Sequence, residues 1–210
     1  MTIESGERTD FGSAASESSV DLVLAALRAN NIDARVVDTG EEARRLVLEL
    51  VPEGAEVSSG KSRTLQELGL FDDLFVCGRY DSVRARYMAM DRQTQRREIR
   101  KLMAAPDYML GSVQAVTEAG DLVSTSATAS QLGAYAAGAG KVILVVGSQK
   151  IVRDLGDAMR RIEEHAFPVE DADLRERLGS GTFIGKILII RREWIDGRIT
   201  FILVREPVGV

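Results

Sequence analysis

The first of three turns that could bind a ligand combines hydroxyl groups, a glycine and a lysine. It contains Ser59, Gly60, Lys61 and Ser62, with Thr64 close behind, and it follows an apolar segment and opens a helix. A Ser/Gly turn in this position presents free backbone N–H groups and the positive end of the helix dipole. The turn can therefore bind a phosphate or a carboxylate. The alternative is an ordinary helix cap beside an exposed lysine.

The same turn partly matches the P-loop of nucleotide-binding proteins. A P-loop requires the spacing G-x-x-x-x-G-K-[ST]. Counting back from Gly60 places Ala55 at the first glycine position, and Gly54 stands one residue too early. The spacing therefore argues against a P-loop and favours a simpler anion-binding turn.

The second turn, Thr117-Glu-Ala-Gly-Asp121, contains a carboxylate that could act in catalysis. At the end of a strand, Glu118 could serve as a nucleophile or a general base. The other interpretation is a polar hairpin turn in which Gly120 adopts a positive φ. The spacing alone favours the hairpin turn.

The third turn follows the apolar segment Lys141–Gly147 and ends at Lys150. Open α/β sheets bind ligands at the carboxyl ends of their strands, where Lys150 could bind an anion; otherwise it is a surface lysine before a helix. The hydroxyl-rich run Ser124–Ser130 adds Ser126 as a candidate, which could contact the ligand or help to cap a helix.

Composition excludes several classes of protein. A net charge of -5 gives no electrostatic case for binding nucleic acid or an anionic membrane. Cys77 is the only cysteine and His165 the only histidine, so we expect no disulfide, no cysteine-bound cluster and no metal site. The start of the chain lacks the order of a signal peptide, and no apolar run approaches the roughly 20 residues of a membrane span. These features predict a protein of the reducing cytoplasm.

Strand and helix patterns alternate along most of the chain. This order predicts an α/β fold, with a mainly parallel sheet flanked by helices. Helices are expected from Ser18 or Ser19 and from Thr39, where Glu42 follows at capping-box spacing. Further helices are expected over Thr64–Leu68, Ser82–Ala104, Ser130–Ala137, Asp154–Glu164 and Asp171–Leu178. Strands are expected over Ala34–Asp38, Ala55–Ser58, Gly111–Thr117, Leu122–Ser126, Lys141–Gly147, Lys186–Arg192 and Ile199–Glu206.

Three expectations concern the organisation of the chain. Asp196-Gly197 lies between the last two strands and predicts a C-terminal β-hairpin. Residues 1–17 are rich in Ser, Thr, Gly and Glu and predict a disordered tail, or a strand added to the fold only late, which leaves 18–210 as a single domain. The long helix over Ser82–Ala104 and the hairpin could each pair with a second copy, so a homo-oligomer is possible.

Several of these segments resemble the LUD-domain family, which includes lactate utilization protein C. The resemblance covers roughly Ser19 to Val210. It is most specific in SVQAVTEAGDL from Ser112, in Gly138–Gly140 before KVILVVG, and in Lys150-Ile-Val. SSGKSRTLQELG at Ser58–Gly69 is similar to the family's Ser/Gly loop and its T-L-E-E-x-G helix, and the ending VREPVG is similar to V-x-E-x-x-G.

The resemblance implies a fold similar to the NagB/RpiA/CoA-transferase group. Members of that group bind sugar phosphates, acyl-CoA or nucleotides at strand ends, and the turn Ser58–Thr64 stands where the group often binds phosphate. Thr117-Glu-Ala-Gly is similar to the Ser-Glu-Asn-Gly of CoA transferases, whose Glu attacks a thioester, although the Asn is missing here.

The sequence also departs from some relatives. Ser126-Ala-Thr-Ala-Ser-Gln stands where they have Asp-Gly-Thr-Gly-Asn-Arg, and the cysteine-rich segment before their last strands is missing. This resembles a cysteine-free branch of the family. It implies an accessory protein in lactate or 2-hydroxy-acid utilization, whose iron–sulfur chemistry would belong to partner oxidoreductase subunits. The alternative is an enzyme or a sensor that binds an acyl-CoA, a sugar phosphate or a nucleotide.

Overall fold

Two β-sheets organise the computed structural model, which describes residues 10–210. The larger sheet is parallel throughout and contains, in spatial order, β1 (Asp33–Val37), β10 (Ile199–Val204), β7 (Lys141–Gly147), β4 (Tyr108–Gly111), β2 (Glu56–Ser59) and β3 (Asp81–Ser82). The smaller sheet contains β8 (Ile151–Val152), β5 (Ala115–Thr117), β6 (Leu122–Ser126) and β9 (Lys186–Ile190), and only its β5–β8 pair is parallel. The predicted α/β fold with a mainly parallel sheet is confirmed.

Eight α-helices of the described chain connect and cover these strands. They are α1 (Glu17–Ala29), α2 (Gly40–Leu50), α3 (Arg63–Glu67), α4 (Leu70–Phe75), α5 (Val83–Met88), α6 (Arg96–Ala104), α7 (Leu155–Arg161) and α8 (Phe167–Leu178). Ser16 caps α1, just before the predicted start, and Thr39 caps α2 in the predicted capping box with Glu42. Local capping chemistry therefore sets both helix starts.

The central strand β7 shows why the larger sheet needs helices on both faces. Val142, Leu144 and Val146 point into a core shared with α1, whereas Ile143 and Val145 point into a second core shared with α2, α3 and α4. All five side chains are buried. A continuous apolar run of this kind is expected of a parallel strand covered on both faces.

The predicted C-terminal hairpin is wrong. Strand β10 lies between β1 and β7 and is parallel to both, whereas β9 pairs antiparallel with β6 in the smaller sheet. The reason lies in burial. Five of the six residues of β10 are buried, so this strand needs a neighbour on each side, whereas Ile187 and Ile189 leave one face of β9 exposed. The turn at Asp196-Gly197 redirects the chain from one sheet to the other.

Two other predicted elements divide in the structure. The long helix over Ser82–Ala104 is interrupted between α5 and α6, where Asp91 accepts hydrogen bonds from the backbone N–H of Gln93 and the hydroxyl of Thr94. Such local bonds to an aspartate compete with helix. The strand over Gly111–Thr117 divides into β4 and β5, which belong to different sheets.

The opposite occurs between α7 and α8, where the two predicted helices join. A π-helical turn, Ile162–Ala166, connects them and precedes Pro168. Proline has no N–H to donate, so residue 168 cannot bond to the carbonyl four residues earlier, and the helix widens directly before it. The resulting continuous helical segment places α8 at one side of the candidate site.

Most of the predicted disordered tail, residues 1–9, lies outside the described residues. In the part that is described, Phe11 is buried and packs with Ala115, Val123 and Ile162. Within residues 10–210, no helix has the length and apolar character needed to cross a bilayer.

Candidate functional site

A cavity of about 270 Å³ lies at the carboxyl ends of three neighbouring strands of the larger sheet. The turn after β2, Ser112 after β4 and Lys150 after β7 all line it. Six predicted site residues are brought together here: Gly60, Lys61, Ser62, Thr64, Ser126 and Lys150. Parallel neighbours end at the same edge of a sheet, which explains why turns distant in sequence meet.

Lys150 is the most unusual residue of the cavity. Its side chain is buried, with 2% of the residue exposed. Its Nζ atom donates hydrogen bonds to Oγ1 of Thr64 at 3.0 Å and to Oγ of Ser112 at 3.1 Å. The described residues thus give this amine two hydroxyl partners and no carboxylate. The interpretation of Lys150 as a surface lysine is wrong.

Burial lowers the pKa of Lys150 to about 7, because the charged form loses its hydration. The positive charge of Arg161 contributes to this lowering, and the carboxylate of Glu67 opposes it. At neutral pH the side chain therefore populates both its amine and its ammonium form. Perturbed groups of this kind in a cavity are candidates for functional residues.

Arg161 is a second buried cation, and its charge acts on Lys150. It is fully buried, and its guanidinium donates to the backbone carbonyls of Gln149 and Gln114. These two carbonyls belong to the segments that follow β7 and precede β5. Arg161 thus fixes the backbone beside Lys150 while its charge disfavours the ammonium form of that lysine.

The predicted anion-binding lysine, Lys61, has carboxylate partners on α8. Its Nζ atom lies 2.7 Å from Oε1 of Glu170 and 2.6 Å from Oδ2 of Asp173. Arg63 lies 3.4 Å from Oδ1, the other carboxylate oxygen of Asp173. The pKa of Asp173 is lowered, chiefly by the hydrogen bond from Lys61. These ion pairs hold α8 against the Ser/Gly turn. Phe167, Glu170 and Leu174 of α8 line the cavity.

The hydroxyl residues of the site have structural roles as well as cavity positions. Ser62 caps α3 by accepting from the N–H of Leu65 at 3.3 Å. Ser126 accepts from the N–H of Ala129 at 3.0 Å. The predicted residue Ser59 does not line the cavity; it is buried directly before Gly60, and its hydroxyl has no hydrogen-bond partner among the described residues.

Glu118, the predicted nucleophile or base, lies outside the cavity. It accepts a hydrogen bond of 2.8 Å from the hydroxyl of Ser19 at the start of α1. The turn that carries Glu118 packs on α1, where Asn30 donates to the carbonyl of Ala119 at 3.2 Å. Gly120 has a φ of 83°, which confirms the interpretation as a turn. The geometry gives Glu118 no contact with the groups around Lys150.

Several cavity residues could not be selected from the sequence. Tyr135 lies against Gly111 and donates from its hydroxyl to the carbonyl of Ser112 at 3.4 Å. Burial raises the pKa of Tyr135, so its hydroxyl stays protonated. The segment ending at Val210 also reaches the cavity, held by Gln149, which donates to the carbonyl of Val208 at 2.9 Å. Only the V-x-E-x-x-G pattern at that ending could have signalled its role.

No group of three or more His, Cys, Asp or Glu side chains within residues 10–210 is arranged to hold a metal ion. The described lining of the cavity offers one buried amine, several hydroxyl groups, the Ser/Gly turn and the charged side chains of Lys61, Arg63 and Glu170.

Comparison with known proteins agrees with the fold. The structure is similar to the crystal structure of a DUF162 family protein from Deinococcus radiodurans, with a TM-score of 0.50 and 10% sequence identity. That match covers 91% of this chain and 99% of the other. No curated protein matches the sequence. The family model of the LUD domain matches residues 20–190, and the chain therefore belongs to the LUD-domain family.

Proposed function

We propose that this LUD-domain protein binds a small anionic metabolite in the cavity of Lys150, as part of lactate or related 2-hydroxy-acid utilization. The observation that carries the proposal is the buried Lys150 amine, which has two hydroxyl partners and no carboxylate among the described residues. Burying a cation without a counter-charge is costly. A bound carboxylate or phosphate would supply that charge.

The Ser/Gly turn supports the same proposal. Gly60 and Ser62 line the cavity beside Lys150, where the turn opens α3. Backbone N–H groups at such a turn suit the oxygen atoms of an anion. Lys61 contributes less than the sequence predicts, because Glu170 and Asp173 already balance its charge. We therefore assign the main positive charge of the site to Lys150.

The size of the cavity favours a small ligand. Its volume of about 270 Å³ is slightly below the range of about 300–1,000 Å³ found for sites that enclose a drug-sized molecule. A carboxylic acid or a sugar phosphate fits this size. A nucleotide or an acyl-CoA would need to leave part of itself outside, with only its anionic or acyl end enclosed.

The proposed metabolic role rests on the family to which the chain belongs. Membership of the LUD-domain family supports a role related to lactate utilization. We propose, in addition, an accessory role in the cytoplasm beside iron–sulfur oxidoreductase subunits, and assembly of the chain as a homo-oligomer. Co-purification of the tagged protein with such subunits from its own cells tests this role, and size-exclusion chromatography with light scattering tests the oligomer.

The binding proposal is tested by thermal unfolding and calorimetric titration with lactate, pyruvate, CoA, acyl-CoAs, ATP and sugar phosphates. A ligand at a hundredfold excess over its Kd stabilises the folded state by about 2.7 kcal/mol. Lys150→Met should abolish that stabilisation, while Lys101→Met, on exposed α6, should retain it. Equal stabilisation of Lys150→Met and the wild type, or no response to any ligand, would refute the proposal.

A further inference from the structure

Lys150 has the environment of a nucleophilic amine as well as that of an anion-binding group. It is buried in the wall of a cavity that is open to a small molecule. Its two hydroxyl partners, Thr64 and Ser112, hold Nζ without fixing a positive charge on it, as a carboxylate would. The role in anion binding does not explain why the structure places the positive Arg161 where it disfavours the ammonium.

We propose that Lys150 forms a reversible covalent imine with the carbonyl carbon of a small 2-oxo acid bound in this cavity. The inference rests on the proposed function, because the carboxylate of the 2-oxo acid is the anion that the site binds. It adds the chemical class of the ligand and a bond to it.

The ligand must carry a carbonyl group because Lys150 can react as a neutral amine. Only the neutral amine has the lone pair that attacks a carbonyl, and desolvation in a protein interior is an established way to keep a lysine neutral. With a pKa near 7, a large fraction of Lys150 is neutral at physiological pH, whereas an exposed lysine with a pKa of about 10.4 is almost entirely protonated.

The ligand must also carry a carboxylate because other side chains that line the cavity are hydrogen-bond donors. Arg63, Thr128 and Ser130 also line the cavity, and each can donate a hydrogen bond to a carboxylate oxygen; Arg63 contacts Asp173 through one nitrogen, and its guanidinium has further N–H groups. A molecule that carries a carboxylate beside a carbonyl can therefore use these donors while its carbonyl meets Nζ of Lys150. An aldehyde without a carboxylate would lack that anchor.

The step balances without a further reactant. The lone pair of Nζ attacks the carbonyl carbon, the carbon–oxygen π bond opens, and proton transfer gives a neutral carbinolamine. Protonation of its hydroxyl group by solvent and loss of one water molecule leave the iminium cation. Addition of water reverses the sequence and releases the 2-oxo acid and the free amine. The hydroxyl groups of Thr64 and Ser112 both accept from the free amine, and one of them can still accept from the single N–H of the iminium.

Reductive trapping tests the proposal on the full-length protein. The protein is incubated at neutral pH with pyruvate and cyanoborohydride, which reduces an iminium in preference to free pyruvate, and is then digested and mapped by mass spectrometry. We expect the reduced pyruvyl adduct at Lys150, at least about tenfold above exposed lysines such as Lys101 and Lys186, because those are protonated. Lactate has the carboxylate but no carbonyl carbon, so it should give no adduct and should protect Lys150 from pyruvate.

Two variants separate charge from nucleophilicity. Lys150→Arg keeps a cation in the cavity but cannot form an imine, and it should show no adduct at residue 150 with unchanged labelling elsewhere. Lys101→Arg should be labelled at Lys150 like the wild type. If Lys150→Arg does not fold, peptide mapping and lactate protection in the wild type still decide the matter.

Labelling of Lys150 no higher than that of exposed lysines would overturn the imine. If lactate nevertheless stabilised the wild type and not Lys150→Met, the anion site would stand and only the covalent step would be lost. If neither lactate nor any other ligand of the panel stabilised the protein and Lys150 stayed unlabelled, the proposed function would fail as well.

Discussion

Nζ of Lys150 lies 3.0 Å from Oγ1 of Thr64, although 86 residues separate the two in sequence. Thr64 belongs to the helix that follows β2, and Lys150 belongs to the turn that follows β7. Strand β4 lies between those strands, and its following residue, Ser112, is the second partner of the amine. One hydrogen-bonded cluster thus joins the ends of three parallel strands, so changes at Lys150 should affect both stability and binding.

The first prediction concerns the pH dependence of stability. In the unfolded chain Lys150 has a pKa of about 10.4, and in the folded protein its pKa is about 7. Between these values the unfolded state binds more protons, so the contribution of Lys150 to stability rises with pH, by at most about 1.4 kcal/mol per pH unit. Lys150→Met should lack this rise in denaturant unfolding between about pH 7 and pH 10.

Lys101→Met is the matched control, since it removes an exposed lysine of the same length and should retain the wild-type slope. Parallel stability curves for the wild type and Lys150→Met would contradict a lowered pKa in the folded state.

The second prediction concerns the ion pairs between the Ser/Gly turn and α8. Asp173→Asn removes a carboxylate that contacts both Lys61 and Arg63. Because these pairs are partly exposed, the loss of global stability should be about 1 kcal/mol or less. Hydrogen–deuterium exchange should nevertheless quicken in Phe167–Leu178, because the helix loses its attachment beside the cavity.

Glu176→Gln provides the control for this effect, since it removes an exposed charge from the same helix. An equal change in exchange for the two variants would show that the attachment to Lys61 is not what holds α8.

The third prediction concerns a buried ion pair below the π-helical turn Ala134–Gly138. Nη2 of Arg198 lies 2.7 Å from Oε2 of Glu193, and both side chains are less than 10% exposed. The same guanidinium donates to the carbonyl of Tyr135 at 2.7 Å. Glu193→Gln leaves the buried cation without its carboxylate, which should cost about 3–5 kcal/mol in denaturant unfolding at neutral pH.

Acid titration gives an independent check of that pair. Burial alone raises the pKa of Glu193, but the hydrogen bond from Arg198 and other donors outweigh it, so the net pKa lies below the usual value. The stabilisation is therefore complete above the unfolded pKa of about 4.3 and is lost as pH falls through the folded pKa. The difference between wild type and Glu193→Gln should shrink in acid; a constant difference would contradict the pairing.

The fourth prediction concerns close packing of the small-residue segment. A Cβ atom at Gly138 would lie 1.8 Å from the backbone oxygen of Ala104, so Gly138→Ala must displace the end of α6. We expect a loss of about 1–3 kcal/mol. Gly133→Ala is the control, because Gly133 has helical dihedral angles and, among residues 10–210, nothing outside its own helix and neighbours lies within 4 Å of the added group. Equal unfolding midpoints for the two variants would contradict this packing.

The sequence predicts best those features that depend on neighbouring residues. The capping box of Thr39 and the buried strand Lys141–Gly147 were predicted correctly, because capping and apolar runs are local signals. The gathering of Lys61 and Lys150 into one cavity follows from the rule that parallel strands bind ligands at their carboxyl ends.

Long-range pairing explains what sequence reasoning missed. Lys61 gives no sign of its partners Glu170 and Asp173, which lie more than one hundred residues away. The turn at Asp196-Gly197 indicates a reversal of the chain but not which sheet receives the next strand. The position of Glu118 likewise depends on where α1 packs, and its sequence neighbours carry no information about that.

The position of β10 also has a consequence for the order in which the fold assembles. Among the strands of residues 10–210, β1 pairs only with β10, with Asp33 opposite Thr200, and β10 in turn pairs with β7. During synthesis β1 therefore emerges long before β10, the strand with which it pairs. Strands β2, β4 and β7 can pair with one another before β10 has been made. Contacts of such sequence separation slow folding. We infer that insertion of β10 is a late step, and that the nascent chain depends on α1 to cover β1 until then.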